Sequence, residues 1–136
     1  MHWFNFLNFP GLLLMACMII GCSEKAGPSL GTVTGTVTLD GRPLQHASVV
    51  FQPVTGRPSA GLTDANGKYS LIYTPDVKGA SIGKHQVVIR TTGLEEDDDA
   101  AEKKKETLPK KYNDSTELQA EVAPGRNIHD FSLLSK

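Results

Sequence analysis

The segment Gly31-Thr-Val-Thr-Gly-Thr-Val-Thr-Leu39 determines the fold class that this sequence predicts. A threonine stands at every second position, and Val33, Gly35, Val37 and Leu39 stand between the threonines. Successive side chains of a β-strand point to opposite faces, so a period of two is typical of a strand with one buried and one solvated face. The segment therefore predicts a half-buried β-strand.

Turn residues divide the rest of the chain into further short segments with the same alternation. The chain contains 13 glycines and 8 prolines, and turn dipeptides such as Asp40-Gly41 and Pro124-Gly125 separate the apolar runs. Because no long helical period appears between these turns, the pattern predicts an all-β domain. We expect a seven-stranded antiparallel β-sandwich, with strands over 31–39, 47–51, 59–63, 68–73, 84–92, 118–122 and 128–134.

The alternation also predicts which side chains meet between the two sheets, since every second residue of each strand faces inward. We expect the core side chains to be Val37, Val49, Phe51, Tyr69, Leu71, Val87, Ile89, Phe131 and Leu133.

A highly charged segment, residues 93–111, interrupts the strand pattern with an acidic run at 95–99 and a basic run at 103–105. Early acids and late bases suit a helix dipole, so a polar helix over about 95–106 is one interpretation. A mobile loop is an equal alternative. Because loops of this length are often functional, we expect the segment to contact a protein partner.

The N-terminal residues differ from the rest of the chain. Residues 1–23 contain no Lys, Arg, Asp or Glu, and residues 12–20 form an unbroken apolar run. Nine residues are too few for a transmembrane helix, which needs about 20. The length is typical of the apolar region of a signal peptide.

This apolar run ends in Ile19-Ile20-Gly21-Cys22, which resembles the lipobox of bacterial lipoproteins. The resemblance implies cleavage after Gly21 and attachment of a diacylglyceryl group to the sulfur of Cys22, which would become the mature N-terminus. Cys17 would be removed with the leader, so the mature chain would hold one cysteine and no disulfide. The alternatives are a conventional signal peptide or an uncleaved anchor, with Cys22 as an ordinary buried thiol.

The predicted organisation is thus a lipoprotein signal peptide (1–21), a flexible tether (22–30) and one β-sandwich domain (31–136). The tether is small, polar and turn-forming, which is typical of a flexible linker. The protein would be exported and anchored to the cell membrane or the outer membrane, facing the periplasm or the surface.

The domain resembles the carboxypeptidase regulatory-like family, whose fold is a transthyretin-like (prealbumin-like) β-sandwich. Its spacing appears as Val33-x-Gly35-x-Val37-x-Leu39-x-Gly41-x-Pro43-Leu44-x-x-Ala47-x-Val49-x-Phe51, Thr63-Asp64-x-x-Gly67-x-Tyr69, Gly83-x-His85-x-Val87-x-Ile89 and Gly125-x-Asn127-x-x-x-Phe131-x-Leu133.

The resemblance implies a support, spacer or interaction module that is not an enzyme. A hydrolase with the transthyretin fold ends in Tyr-Arg-Gly-Ser, whereas this chain ends in Leu133-Leu134-Ser135-Lys136. The motif Leu108-Pro-Lys-Lys-Tyr-Asn113 is similar to one in a subgroup of short exported bacterial lipoproteins.

Two groups of polar residues suggest alternative chemistry. His85 and His129 could share a metal, but their spacing is not that of a metal motif, and hydrogen-bonded histidines are the structural interpretation. The run Asp64-x-Asn66-Gly67 is similar to the start of a calcium loop, but it lacks the later ligands and predicts a turn. We therefore predict no metal site and no catalytic residue.

Other sequence features exclude several classes of function. A net charge of −1 gives no electrostatic reason to expect a nucleic-acid partner. The chain has neither a phosphate-binding glycine loop nor a Gly-x-Ser-x-Gly elbow, and we expect no cofactor. An enzyme would need titratable groups that converge in a cleft.

The expected function is that of a lipid-anchored, non-catalytic β-sandwich, a structural or protein-interaction module of the cell envelope. Its partners would be the membrane, through the lipid, and an envelope protein. The alternative is a protein that binds a small ligand or a saccharide. That alternative needs exposed aromatic side chains, and Tyr112 is the one that we expect to be exposed.

Overall fold

The computed structural model describes residues 27–92 and 105–136, which form twelve β-strands and one short 3₁₀ helix. The 3₁₀ helix, Lys110–Tyr112, lies between the ninth and tenth strands. The strands are β1 (Leu30–Leu39), β2 (Arg42–Pro43), β3 (Ser48–Pro53), β4 (Ser59–Leu62), β5 (Lys68–Ser70), β6 (Ile72–Thr74), β7 (Val77–Lys78), β8 (Ala80–Ser81), β9 (Gly83–Arg90), β10 (Gln119–Val122), β11 (Gly125–Ile128) and β12 (Phe131–Leu133).

The strands form two sheets that enclose one apolar core. In sheet 1, β1 is the central strand, with β11 and β12 along one side and β2, β5 and β8 along the other. Sheet 2 has the order β10-β9-β3-β4-β6-β7 and is antiparallel throughout. Phe51 of sheet 2 meets Phe131 of sheet 1 with the ring centroids 6.3 Å apart. The prediction of an all-β domain with two layers is confirmed.

The predicted number of seven strands is wrong, because several segments break or change sheets. The predicted strand 68–73 is two strands: β5 pairs with β1 in sheet 1, and β6 pairs with β4 in sheet 2. Leu71 lies at the crossing and is fully buried. The short strands β2, β7 and β8 fall in segments where the sequence predicted only turns and loops.

The C-terminal segment differs most from the prediction. The chain begins β11 at Gly125, inside the predicted turn, and is interrupted at His129 and Asp130 before β12. Both strands run parallel to β1 and so depart from the predicted antiparallel pairing. This arrangement requires the chain to return to the start of β1 after it has built sheet 2.

The interruption between β11 and β12 lies directly against Gly35. A Cβ atom on Gly35 would be 1.8 Å from the carbonyl oxygen of His129, so only glycine allows this approach. The His129 amide donates to the carbonyl of Thr34 (2.9 Å), and the hydroxyl of Tyr69 donates to the His129 carbonyl (2.5 Å). The amide of Thr36 donates to the Asp130 carboxylate (2.8 Å). The glycine in the middle of β1 is therefore the contact point for three strands.

The core contains nearly all the side chains that the alternation predicted. Eight of the nine are buried, and Phe131 is partly exposed but packs against them. The core also includes Val33, Ala47, Ala80, Val122, Leu108 and Tyr112. Within residues 27–92 and 105–136, no helix has the length and apolar character to cross a membrane.

Replacing Gly35 by alanine should destabilise the fold by roughly 2–3 kcal/mol, because the added methyl group displaces the His129 carbonyl. Urea unfolding of the purified protein measures this loss. Gly27→Ala is the matched control, since a Cβ there has no atom within 4 Å, and we expect it to change the stability by less than about 0.5 kcal/mol. Equal unfolding midpoints for the two variants would contradict the proposed contact.

Candidate functional site

The predicted lipidation site, Cys22, and the cleavage site, Gly21, lie outside the described residues, as does most of the tether. The described chain enters the domain through exposed residues 27–29. The Ile82 amide donates to the Ser29 carbonyl (3.0 Å), and Leu30 pairs with Ser81. The tether therefore joins the domain at the N-terminal end of β1.

The described residues on either side of the charged segment bind each other in a cluster that we call the stem: Thr91, Thr92 and Glu106. Glu106 accepts hydrogen bonds from the Thr91 amide (3.0 Å), the Thr91 hydroxyl (2.6 Å) and the Thr92 hydroxyl (3.0 Å). It also accepts one from the amide of Leu108 (3.0 Å). Residues 93–104, with the acidic run and most of the predicted polar helix, lie outside the described residues. The stem holds the two ends of that segment together.

The pKa of Glu106 reflects these contacts. Partial burial raises the pKa, but the hydrogen bonds from Thr91, Leu108 and Thr92 lower it by more, so it lies below the ordinary glutamate value. The carboxylate form is thus the one that the stem stabilises.

The motif at 108–113 packs the stem against the sandwich. Leu108, Tyr112 and Asn113 are all buried. The Tyr112 hydroxyl accepts a hydrogen bond from the Leu134 amide (3.0 Å), and the Asn113 side chain donates to the carbonyl of Pro109 (3.2 Å). The prediction that Tyr112 is exposed is wrong: only 8% of it is accessible. The spacing of Leu108 and Tyr112 among lysines was the signal for this role.

The tether and the segment that follows the stem contact opposite ends of β1. Tyr112 binds Leu134, which directly follows Leu133, and the Leu133 carbonyl accepts from the amide of Asp40 just beyond the C-terminal end of β1. The tether enters at Leu30, ten residues of strand away. Since a strand rises about 3.3 Å per residue, the two ends are about 30 Å apart.

The three histidines of the domain have separate contacts. His85 is 3% exposed, and its Nε2 donates to the carbonyl of Ser81 (2.6 Å). The Nε2 of His129 donates to the carbonyl of Glu121 (3.0 Å). Their rings lie 5.6 Å and 5.8 Å from the ring of Phe51. His46 is exposed and lies in a turn with positive φ.

These contacts correspond to the structural interpretation of the histidines, because a backbone carbonyl binds the Nε2 atom of each ring. The buried Nδ1 of His85 has no hydrogen-bond partner among the described residues. In the described ranges, no three His, Cys, Asp or Glu side chains are grouped to hold a metal ion. The predicted turn at Asp64 is confirmed: its carboxylate accepts from the amides of Asn66 (2.8 Å) and Lys68 (2.9 Å).

Two shallow grooves lie on the outer surface. One, of about 340 Å³, borders β3, β9 and β10 and includes Gln52, Gln86 and Gln119. The other, of about 420 Å³, lies on the outer face of sheet 1, and we call it the β1 groove. Its lining includes Thr32, Thr34, Ser70, Lys78, Arg126 and Ile128.

The aromatic side chains of the described residues serve mainly the core. Phe51 and Tyr69 are buried and Phe131 packs against them, while Tyr112 holds the stem. Tyr73 is partly exposed, with the guanidinium of Arg57 6.0 Å from its ring centre. The described chain therefore shows no cluster of exposed aromatic rings.

No family model matches the chain, and no curated protein matches it. A solved structure of a DUF3823 family protein from Parabacteroides merdae is similar, with a TM-score of 0.48 and 10% sequence identity. The similarity covers 79% of this chain and 47% of that chain, so this chain spans about half the length of that protein.

The substitution Glu106→Gln should lower the free energy of unfolding at pH 7 by about 1 kcal/mol, since the hydrogen bonds to the charge weaken at a partly exposed site. Folding lowers the pKa of Glu106, so its contribution is complete above about pH 4.3, the unfolded value, and is lost as the pH falls through the lower folded value.

Urea unfolding of the native protein and the variant between pH 7 and pH 3 measures this difference, which should shrink below about pH 4.3. Glu117→Gln is the control, because the Glu117 side chain makes no hydrogen bond to the described residues. A difference that stays constant down to pH 3 is incompatible with a charged Glu106 holding the stem.

Proposed function

We propose that this chain is an exported, lipid-anchored protein of the bacterial cell envelope, whose non-catalytic β-sandwich is a structural or protein-interaction module. We also propose that the sandwich is of the carboxypeptidase regulatory-like, transthyretin-like type. One observation carries the proposal: the tether enters at the N-terminal end of β1, and Tyr112, six residues after Glu106 of the stem, binds the chain next to the C-terminal end of the same strand.

The anchor follows from the sequence Ile19-Ile20-Gly21-Cys22. Each buried CH₂ of an acyl chain contributes about 0.8 kcal/mol, and two or more chains hold a protein stably at a bilayer. Leu30 is eight residues after Cys22, and an extended chain of that length spans at most about 28 Å. The domain therefore stays close to the membrane in which Cys22 is anchored.

The two ends of the sandwich differ in what they contact. The chain that follows the stem contacts the end of the sandwich remote from the tether, so about the length of β1 separates these contacts from the tether. Charges in solution act over about 8 Å at physiological salt, so this segment would meet a partner away from the headgroups. A rigid sandwich between anchor and segment is what a spacer with an interaction loop requires.

The polar groups of the domain support a non-catalytic role. Glu106 is saturated by hydrogen bonds within the stem, and Asp64 by those of its turn. His85 and His129 bond to backbone carbonyls. Each of these titratable groups is thus used to hold the fold in place rather than presented to a substrate.

Binding of a small ligand or a saccharide is the second proposal, and the β1 groove favours it because its hydroxyl groups face solvent. A saccharide site usually offers an aromatic ring for the sugar to stack on, and the lining of this groove contains none. The interaction module is therefore the better supported function.

The anchor can be tested through the two cysteines. In native membranes, the N-terminal peptide of the mature protein should begin at Cys22 and carry the mass of a diacylglyceryl group. Cys22→Ser should abolish the modification, whereas Cys17→Ser, in the same leader, should leave it unchanged. Mass spectrometry of the detergent-extracted protein measures the mass of the N-terminal peptide in each case. An unmodified Cys22 in the native protein would contradict the proposed anchor.

The interaction role can be tested by removing the charged residues without disturbing the stem. Deletion of 95–103 keeps Glu106 and its hydrogen bonds, so the unfolding midpoint and the membrane anchoring should not change. Proteins that crosslink to the native chain in membranes should be lost from this variant. The matched control replaces 95–103 by Gly-Ser repeats of equal length and should lose the same partners. Unchanged crosslinks in both variants would argue against a role for the segment.

A further inference from the structure

The β1 groove combines side chains that are free to bind a ligand. Thr34 of β1 lies between Ser70 of β5 and Ile128 of β11 in the register of sheet 1. All three are exposed, because their neighbours along the strands, such as Val33 and Tyr69, point into the core. Ile128 is 74% exposed, which is unusual for an isoleucine in a strand. The outer face of sheet 1 thus presents hydroxyl groups beside one apolar side chain.

Two cations border these hydroxyl groups. Arg126 of β11 pairs with Thr32 of β1, and Lys78 of β7 also lines the groove. Among the described residues, neither cation has an ion-pair or hydrogen-bond partner; the ion pair found there joins Arg90 and Asp114. The groove lining contains no acidic residue. Arg126 and Lys78 therefore give this groove an uncompensated positive charge.

The groove also lies beside the entry of the tether. Thr32 is two residues after the start of β1 and ten residues after Cys22. Ten extended residues span at most about 35 Å. A ligand on the membrane surface would therefore be held near the groove at high effective concentration, and a weak attraction would be sufficient to orient the domain.

We propose that the β1 groove, which lies along the half of β1 next to the tether, contacts the bilayer and binds the phosphate groups of anionic lipid headgroups, while the far end of β1 stays away from the bilayer. This inference rests on the proposed lipid anchor at Cys22. Arg126 and Lys78 bind the phosphate, and the hydroxyls of Thr34 and Ser70 donate hydrogen bonds to its oxygens. Ile128 inserts at the boundary between headgroups and acyl chains, since cations beside an exposed apolar side chain are typical of membrane-surface contacts.

The test uses the mature, acylated protein in lipid nanodiscs. A fluorescent label on Thr36→Cys reports on the outer face of sheet 1, and a label on Gln86→Cys reports on the exposed outer face of sheet 2. A quencher is attached to a trace lipid headgroup. Discs of phosphatidylcholine alone are compared with discs of equal parts phosphatidylcholine and phosphatidylglycerol. We expect several-fold stronger quenching of the Thr36 label in the anionic discs and no such change at Gln86.

The charge-matched controls separate the groove from general electrostatics. The double variant Lys78→Gln with Arg126→Gln should remove the dependence of quenching on lipid charge. We expect each lost cation to weaken binding to the anionic discs about fivefold. Arg42→Gln with Lys110→Gln makes the same change in net charge at the stem end and should keep the dependence. Ile128→Ser should reduce the quenching without changing its dependence on lipid charge.

Several outcomes would overturn the proposal. Equal quenching in both kinds of disc, or equal losses in the two double variants, shows that the groove does not recognise headgroups. If inorganic phosphate abolishes the stronger quenching in the anionic discs, the groove is a site for free phosphate instead of lipid headgroups. The mass of the N-terminal peptide is measured on the same samples: an acylated protein without the lipid effect refutes this inference alone, whereas an unacylated Cys22 refutes the proposed function as well.

Discussion

The structure depends on the close contact between the backbone of β1 at Gly35 and the carbonyl of His129. The absence of a side chain at Gly35 lets the interrupted C-terminal strands lie along β1. The hydroxyl of Tyr69, from the antiparallel side of β1, closes the contact by donating to the same carbonyl. Three segments far apart in sequence therefore meet at one residue of the central strand, while the tether and Tyr112 make their contacts near the two ends of that strand.

The sequence predicted those parts of the fold that depend on local alternation. Strands β1, β3 and β9 and their inward faces could be predicted because each has one buried face. The change of sheet at Leu71 could not, since the alternation continues unbroken while the hydrogen-bond partner changes from β1 to β4. The parallel course of β11 and β12 depends on contacts across about 94 residues, which no local pattern reports.

Among the candidate sites, too, local motifs could be read from the sequence, whereas contacts between distant residues could not. The resemblance of Gly21 and Cys22 to a lipobox could be read from the sequence because the motif is local, and it stays a prediction because both lie outside the described residues. Glu106 could not be distinguished from the other acids of its segment, since its role depends on Thr91, on the far side of that segment. Tyr112 was expected to be the exposed aromatic side chain, but its hydroxyl binds the Leu134 amide within the fold.

We propose that an acylated sandwich separates the membrane anchor from the charged segment. Spin labels on Ser29→Cys and Lys105→Cys, in acylated protein bound to nanodiscs, measure the distance between the tether and the stem directly by pulsed electron resonance. The account predicts a single distance near 30 Å, the length of β1, in protein that remains with the discs. A distance below about 15 Å, which is under half that strand length, or protein that separates from the discs would contradict it.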